Sequence, residues 1–288
     1  VEATVAQVKR CADAGAELVR ITVQGKKEAA ACMKIRERLF QDNYDTPLVA
    51  DIHFQPGVAM AVADAFEKIR INPGNFLDGR KTFEVIDYDD PAQFAAEREE
   101  IARGFAPLVE KLKRLNRALR IGTNHGSLSA RVLSFYGDTP RGMVESAFEF
   151  ADVCRDLDYH NFCFSMKASN PRVMVAAYRL LAEEQYARGW DYPLHLGVTE
   201  AGVGEDGRLK SALGIGTLLL DGLGDTVRVS LTEDPWLELG PGRALTRLGA
   251  VAADQAWGVE PFPEHRDTHA FARRAVRLPC QRASDGAL

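Results

Sequence analysis

Leu119-Arg120-Ile121-Gly122-Thr123-Asn124-His125-Gly126 sets one arginine between two aliphatic residues and then breaks into polar, turn-forming residues. The same design recurs at Val19-Arg20-Ile21-Thr22, Ile69-Arg70-Ile71-Asn72-Pro73-Gly74 and Val227-Arg228-Val229-Ser230-Leu231-Thr232. Strands of a parallel sheet are buried on both faces and read as short apolar runs, so a guanidinium within one must meet an anion or open onto a cleft. The turn residues that follow place each arginine at the carboxyl end of its strand. One such arginine is explained by an ion pair with a neighbouring acid. Four at matching positions predict planar donors converging on one mouth, which suits a ligand carrying several phosphate oxygens.

Outward from these runs the chain alternates. Apolar runs predict strands over 17–21, 46–51, 68–71, 119–122, 161–166, 194–198 and 226–229. Amphipathic segments predict helices over 1–14, 27–41, 56–66, 91–115, 140–157, 171–188 and 210–223. Asp90-Pro91, Thr139-Pro140 and Asn170-Pro171 each supply an N-cap followed by a first-turn proline. The helix that opens the chain has no strand before it, and restoring one gives eight. The fold class is therefore α/β, a (β/α)8 TIM-type barrel with its first strand missing. No Gly-x-Gly-x-x-Gly follows an early strand, as a dinucleotide-binding sheet would require. The barrel is expected over 1–248, with 249–288 forming a linker and the start of an inserted domain.

The 288 residues are 46% hydrophobic and 27% charged, with a formal net charge of −5, which excludes general nucleic-acid binding and leaves the arginines as local tools. No apolar stretch approaches the roughly 18 residues that span a bilayer. Five cysteines are scattered without a Cys-x-x-Cys pair, so neither a disulfide framework nor a local metal site is written in the spacing.

Other strand ends add to the same mouth: Asp51 and His53 after one strand, Asn124 after another, Lys167 after a third, Thr199 and Glu200 after a fourth, and Ser230 beyond Arg228. Arg20, Arg70, Arg120, Arg228 and Lys167 together outnumber the obvious carboxylates, Asp51 and Glu200. Lys167 reads as a phosphate contact, with a Schiff base as the other chemistry open to a strand-end lysine. Glu200 reads either as a general acid set by surrounding cations or as a carboxylate pairing with Arg228. The Ala201-Gly202-Val203-Gly204 segment after it reads as a flexible loop over the mouth.

These motifs, with Asp51-Ile52-His53-Phe54, Leu194-His195-Leu196-Gly197-Val198-Thr199-Glu200-Ala201-Gly202 and Gly224-Asp225-Thr226-Val227-Arg228-Val229-Ser230, resemble the 4-hydroxy-3-methylbut-2-enyl diphosphate synthase family. Ser165-Met166-Lys167-Ala168-Ser169-Asn170-Pro171 and Gly189-Trp190-Asp191-Tyr192-Pro193 look like its longer form, found in plastids and some bacteria. The resemblance implies reductive ring opening and dehydroxylation of 2-C-methyl-D-erythritol 2,4-cyclodiphosphate. It implies a [4Fe-4S] cluster whose ligands lie outside this chain, with ferredoxin or flavodoxin as electron donor. By position it makes Arg20, Arg70, Arg120, Arg228 and Lys167 the anion clamp, with Asp51, His53, Asn124, Thr199 and Ser230 beside them and Glu200 as the acid/base group. Shorter members close as a homodimer, an association the resemblance leaves open here, and the compartment is the bacterial cytoplasm or the plastid stroma. By itself the chain is expected to bind rather than turn over. The chemistry alone also admits a barrel transferase resembling dihydropteroate synthase, which needs an aromatic or amide-lined pocket, or a non-catalytic anion-binding fragment.

Overall fold

A computed structural model describes residues 1–52, 55–76 and 91–254. Helix α1 (Glu2–Asp13) opens the chain, and β1 (Val19–Thr22), α2 (Lys26–Gln41), β2 (Leu48–Ile52), α3 (Pro56–Val62) and β3 (Lys68–Ile71) follow. A single-turn helix α4 (Pro73–Phe76), the long α5 (Pro91–Arg114), β4 (Ala118–Asn124), α6 (Ala130–Tyr136) and α7 (Pro140–Asp156) come next. The order closes with β5 (Phe162–Lys167), α8 (Pro171–Ala187), β6 (His195–Leu196), α9 (Gly204–Leu220), β7 (Thr226–Val227), a 3-10 turn over Pro235–Glu238 and α10 (Leu239–Asp254).

Strands β1 to β5 pair in parallel in chain order, and β6 pairs with β7. A parallel bridge from Phe164 to Leu194 joins the two sheets. The alternation that predicts a TIM-type barrel is therefore present in seven strands. Period-2 geometry divides the work of each strand. Ile69, Ile71, Leu119 and Ile121 are fully buried in the hydrophobic layer beneath the helices, which leaves Arg70 and Arg120 to face inward as register partners.

Local chemistry fixes the helix starts. The Asn170 side chain accepts from Arg172 N at 3.0 Å and Thr139 from Gly142 N at 3.1 Å, each ahead of a first-turn proline. The expected Asp90 cap, the pocket candidate His53 and the tail from 255 onward lie outside the described residues.

Several boundaries move. Helix α3 ends at Val62 rather than at 66, α9 begins six residues before 210, and α10 runs past 248 to Asp254. The last two strands are two residues each because their neighbours leave the sheet to form loops. Among the described residues no ladder joins β7 to β1. Side chains bridge that seam on the outside: the Arg10 guanidinium lies 3.6 Å over the Trp236 ring, and Arg243 donates to Gly15 O at 2.8 Å.

Candidate functional site at the barrel mouth

The carboxyl ends of the strands surround a cavity of about 320 Å³. Arg20, Asp51, Arg70, Arg120 and Asn124 line it from β1 to β4. Lys167, Thr199, Glu200, Arg228 and Ser230 complete the ring from the other strands. Every sequence-derived site residue within the described set is thus brought together. Thr22, Gly202, Leu231 and Thr232 also line the cavity; each had been read as turn-forming or loop residues alone.

Charge is distributed unevenly around this ring. Asp51 gives one oxygen to each of two arginines, with Arg20 Nη1 at 2.5 Å and Arg70 Nη1 at 2.7 Å. Arg70 also donates to Gly122 O at 2.8 Å and to Asn124 Oδ1 at 3.1 Å. A Cβ on Gly122 would stand 2.4 Å from Arg70 Nε, so glycine is what allows that guanidinium to cross β4. Arg228 is held by Glu238, which the sequence reading had not singled out, through Nε at 3.1 Å and Nη2 at 3.2 Å. This pairing answers the question left over Glu200: its carboxylate does not hold Arg228.

Arg120 and Lys167 differ from the other three. Arg120 is 4% exposed and Lys167 6% exposed, yet among the described residues neither side chain has a hydrogen bond or a carboxylate partner, and Arg120 Nε is an orphaned buried donor. The chain shows what a structural buried arginine requires. Arg131, equally buried in the helix layer, makes a two-pronged contact with Glu149 at 2.7 and 2.5 Å. Burial, then the neighbouring Arg70 and Arg20, push Arg120 down to about 9. Burial followed by Arg120, Arg20, Arg228 and Arg70 drives Lys167 well below the usual lysine range. Arg20, half-rescued by Asp51, is lowered by burial to about 10. Among the described residues, uncompensated positive charge is therefore concentrated around Arg120 and Lys167.

The wall below the mouth is polar as well. Lys68 Nζ donates to Cys163 Sγ at 3.0 Å, and His195 Nδ1 lies 2.8 Å from Thr226 Oγ1. Burial and then Arg120 and Lys167 hold His195 well below the ordinary histidine value, so its imidazole is neutral and adds no charge. The sequence reading gives His195 no role; strand alternation is the one local signal that bears on it, and no partner on its own segment marks it as part of the site. Gly197 serves Lys167 as Gly122 serves Arg70, since a Cβ there would sit 3.2 Å from Lys167 Nζ.

Glu200 is exposed and lines the cavity with a left-handed backbone, φ +50°. A non-glycine residue rarely adopts that conformation, and sites of function are where it is retained. The loop after Glu200 is tied rather than free: Gly202 O accepts from Thr232 N at 3.3 Å, and Glu233 accepts from Gly204 N at 2.9 Å while holding Arg208 at 2.7 Å. His125 turns away to the Asp138 carbonyl at 3.2 Å. No aromatic side chain lines the cavity among the described residues, and Asn124 is the one side-chain amide in that lining.

Comparison with known proteins adds an independent line. The GcpE TIM-barrel domain family matches residues 1–243. The chain is 64% identical over 283 residues to a chloroplastic ferredoxin-type 4-hydroxy-3-methylbut-2-en-1-yl diphosphate synthase of Arabidopsis thaliana, covering 98% of this chain and 38% of that one. It is 63% identical over 279 residues to a flavodoxin-type synthase of Protochlamydia amoebophila, covering 96% and 42%. The chain thus spans about two fifths of the length of these relatives. Among solved structures, dihydropteroate synthases of Yersinia pestis and Burkholderia cenocepacia superpose with a TM-score of 0.51 at 14% and 16% identity. They cover 87% of this chain and 85% and 88% of their own. At that identity they show the barrel fold alone.

Proposed function

Because the chain belongs to the GcpE TIM-barrel family, we propose that it is the substrate-holding barrel of a 4-hydroxy-3-methylbut-2-en-1-yl diphosphate synthase. Its ligand in this reading is 2-C-methyl-D-erythritol 2,4-cyclodiphosphate. The observation that carries the reading is the pair of buried basic side chains, Arg120 and Lys167, that have no carboxylate partner among the described residues. A cyclic diphosphate supplies the missing charge, and the cavity of about 320 Å³ is of the size that small-ligand sites have.

In this reading Arg120 and Lys167 take phosphate oxygens directly, while Arg20, Arg70 and Arg228 keep their carboxylates and offer their remaining donors. Asn124, Thr199 and Ser230 provide hydrogen bonds at the rim. Glu200, at the open side of the cavity, protonates the hydroxyl that departs as water. Its left-handed backbone is the kind of strain that is retained at sites of function.

The overall conversion opens the ring and removes the hydroxyl with two electrons, which the family draws from ferredoxin or flavodoxin through a [4Fe-4S] cluster. The residues described here do not fit that cluster. Cys11, Cys32, Cys154 and Cys163 are buried and separate, and burial raises Cys32 to about 11 and Cys154 further, where thiolate ligands would need the opposite. No group of three metal-ligating side chains exists among the described residues. The role of this chain is therefore to bind and orient. In this reading electron delivery belongs to the part of the longer synthase that this chain does not span, in the plastid stroma or the bacterial cytoplasm according to source.

The test is direct. A protein carrying this barrel within the full gene, prepared without oxygen and given a low-potential reductant, should consume the cyclodiphosphate, and Glu200→Gln should abolish turnover while retaining binding. Full iron loading with no consumption of that substrate overturns the assignment.

A further inference from the structure

Arg228 occupies the weakest position in the ring. Strand β7 ends at Val227, and the Arg228 backbone keeps one link to β6, its N–H to Leu196 O at 2.9 Å. On its other side, among the described residues, no ladder reaches β1. Nothing in the sheet therefore sets the angle of this guanidinium relative to Arg20.

Glu238 supplies what the sheet does not. It is 9% exposed and uses both oxygens. Oε2 accepts from Arg228 Nε at 3.1 Å, and Oε1 accepts from Arg228 Nη2 at 3.2 Å and from Leu231 N at 3.0 Å. The contact engages the Nε edge of the guanidinium, and the Nη1 group keeps its donors for a ligand. The same oxygen fixes the backbone of the Ser230–Thr232 turn, whose side chains line the cavity.

The carboxylate is itself anchored from outside the mouth. It ends the 3-10 turn that Pro235 opens, one turn residue away from Trp236, whose ring carries Arg10 of α1. The Arg243 contact to Gly15 O ties the following helix to the turn that ends helix α1. Resting on the reading of the mouth as an anion site, we propose that Glu238 is a positioning residue: it orients Arg228 and the Ser230–Thr232 turn as one unit for a diphosphate.

The competing account is that Glu238 only neutralises a charge. The two accounts differ in sign. A counter-charge weakens anion binding, so its removal in Glu238→Gln would tighten binding, and Glu238→Asp, which keeps the charge, would change nothing. A positioning group depends on reach, and Glu238→Asp withdraws the carboxylate by one methylene from all three contacts.

The experiment titrates the 288-residue chain with inorganic pyrophosphate at low salt by calorimetry. Positioning predicts that Glu238→Asp weakens binding about ten-fold, the worth of one charge-assisted hydrogen bond. In an Arg228→Ala background the same substitution should change affinity by less than about two-fold, as expected when one residue acts through the other. A ligand-free readout accompanies it: the Arg228 Nε–H resonance, identified by its loss in Arg228→Ala, should be protected from solvent exchange in the parent and exchange faster in both Glu238→Asp and Glu238→Gln. Unchanged affinity in Glu238→Asp with unchanged Nε–H exchange overturns the proposal, as does tighter binding by Glu238→Gln alone. If the parent chain fails to bind pyrophosphate, the anion-site reading falls and the exchange measurement alone decides the role of Glu238.

Discussion

Replacing Arg120 by methionine should make the empty protein more stable and its anion site inert. Arg120 is 4% exposed, stands in register with Arg70, and is lowered from the ordinary arginine range to about 9, first by burial and then by Arg70 and Arg20. Both values lie above 7, so the guanidinium is charged in the folded and unfolded states at neutral pH. The penalty on the folded state is then present in full, on the order of 5 kcal/mol as an upper bound. Substitution of buried charges by apolar groups of similar volume realises about 1–4 kcal/mol. A gain of about 2 kcal/mol raises Tm by about 4–8 °C for a chain of this size. Pyrophosphate at a hundred times its Kd adds about 2.7 kcal/mol to the parent, which the Arg120→Met variant should not gain. Thermal melts of both proteins with and without pyrophosphate give four numbers. A variant that melts below the parent without ligand and keeps the full ligand shift refutes the reasoning.

Three further outcomes follow from the same geometry. Lys167 lies well below its usual value in the empty site, and a bound anion raises it again, so binding takes up a proton. At a pH above the lowered value affinity should then fall as pH rises toward the ordinary lysine range, and calorimetry in two buffers of different ionisation heat should give unequal enthalpies, whereas equal heats contradict the assignment. Asp51→Asn withdraws the carboxylate shared by Arg20 and Arg70 and should cost about 3–5 kcal/mol, partly recovered by pyrophosphate; an unchanged melting temperature contradicts it. Gly122→Ala would place a methyl 2.4 Å from Arg70 Nε and 3.1 Å from Ser165 Oγ, so about 1–3 kcal/mol of stability and much of the anion affinity should be lost, and a crystal structure with Arg70 unmoved would refute the steric argument.

Much of this site is readable because strands impose a simple rule. An arginine flanked by aliphatic residues must face opposite to them, and the following turn residues mark the carboxyl end, so Arg20, Arg70, Arg120 and Arg228 are found together from local sequence. Asn170-Pro171 and Thr139-Pro140 are equally local, and both start helices where expected. What escapes is set by tertiary packing. Glu238 lies in a short turn with no periodicity, and its meaning comes only from Arg228 and Leu231 folding back onto it. The early start of α9 at Gly204 depends on Glu233 from the next loop accepting that residue's N–H. The sequence also suggests an excess of unpaired arginines. The structure pairs Arg20, Arg70 and Arg228 with acids and concentrates the excess on Arg120 and Lys167, which is a statement about three-dimensional neighbours that no spacing contains.

The central claim is that these two cations wait for a diphosphate. The most direct measurement titrates the chain with 2-C-methyl-D-erythritol 2,4-cyclodiphosphate by calorimetry, alone and after saturation with pyrophosphate, in the parent and in Arg120→Met. The account predicts one saturable site, competition by pyrophosphate, proton uptake on binding and loss of the heat in the variant. Binding of the cyclodiphosphate that pyrophosphate does not displace, or that Arg120→Met leaves intact, would contradict it.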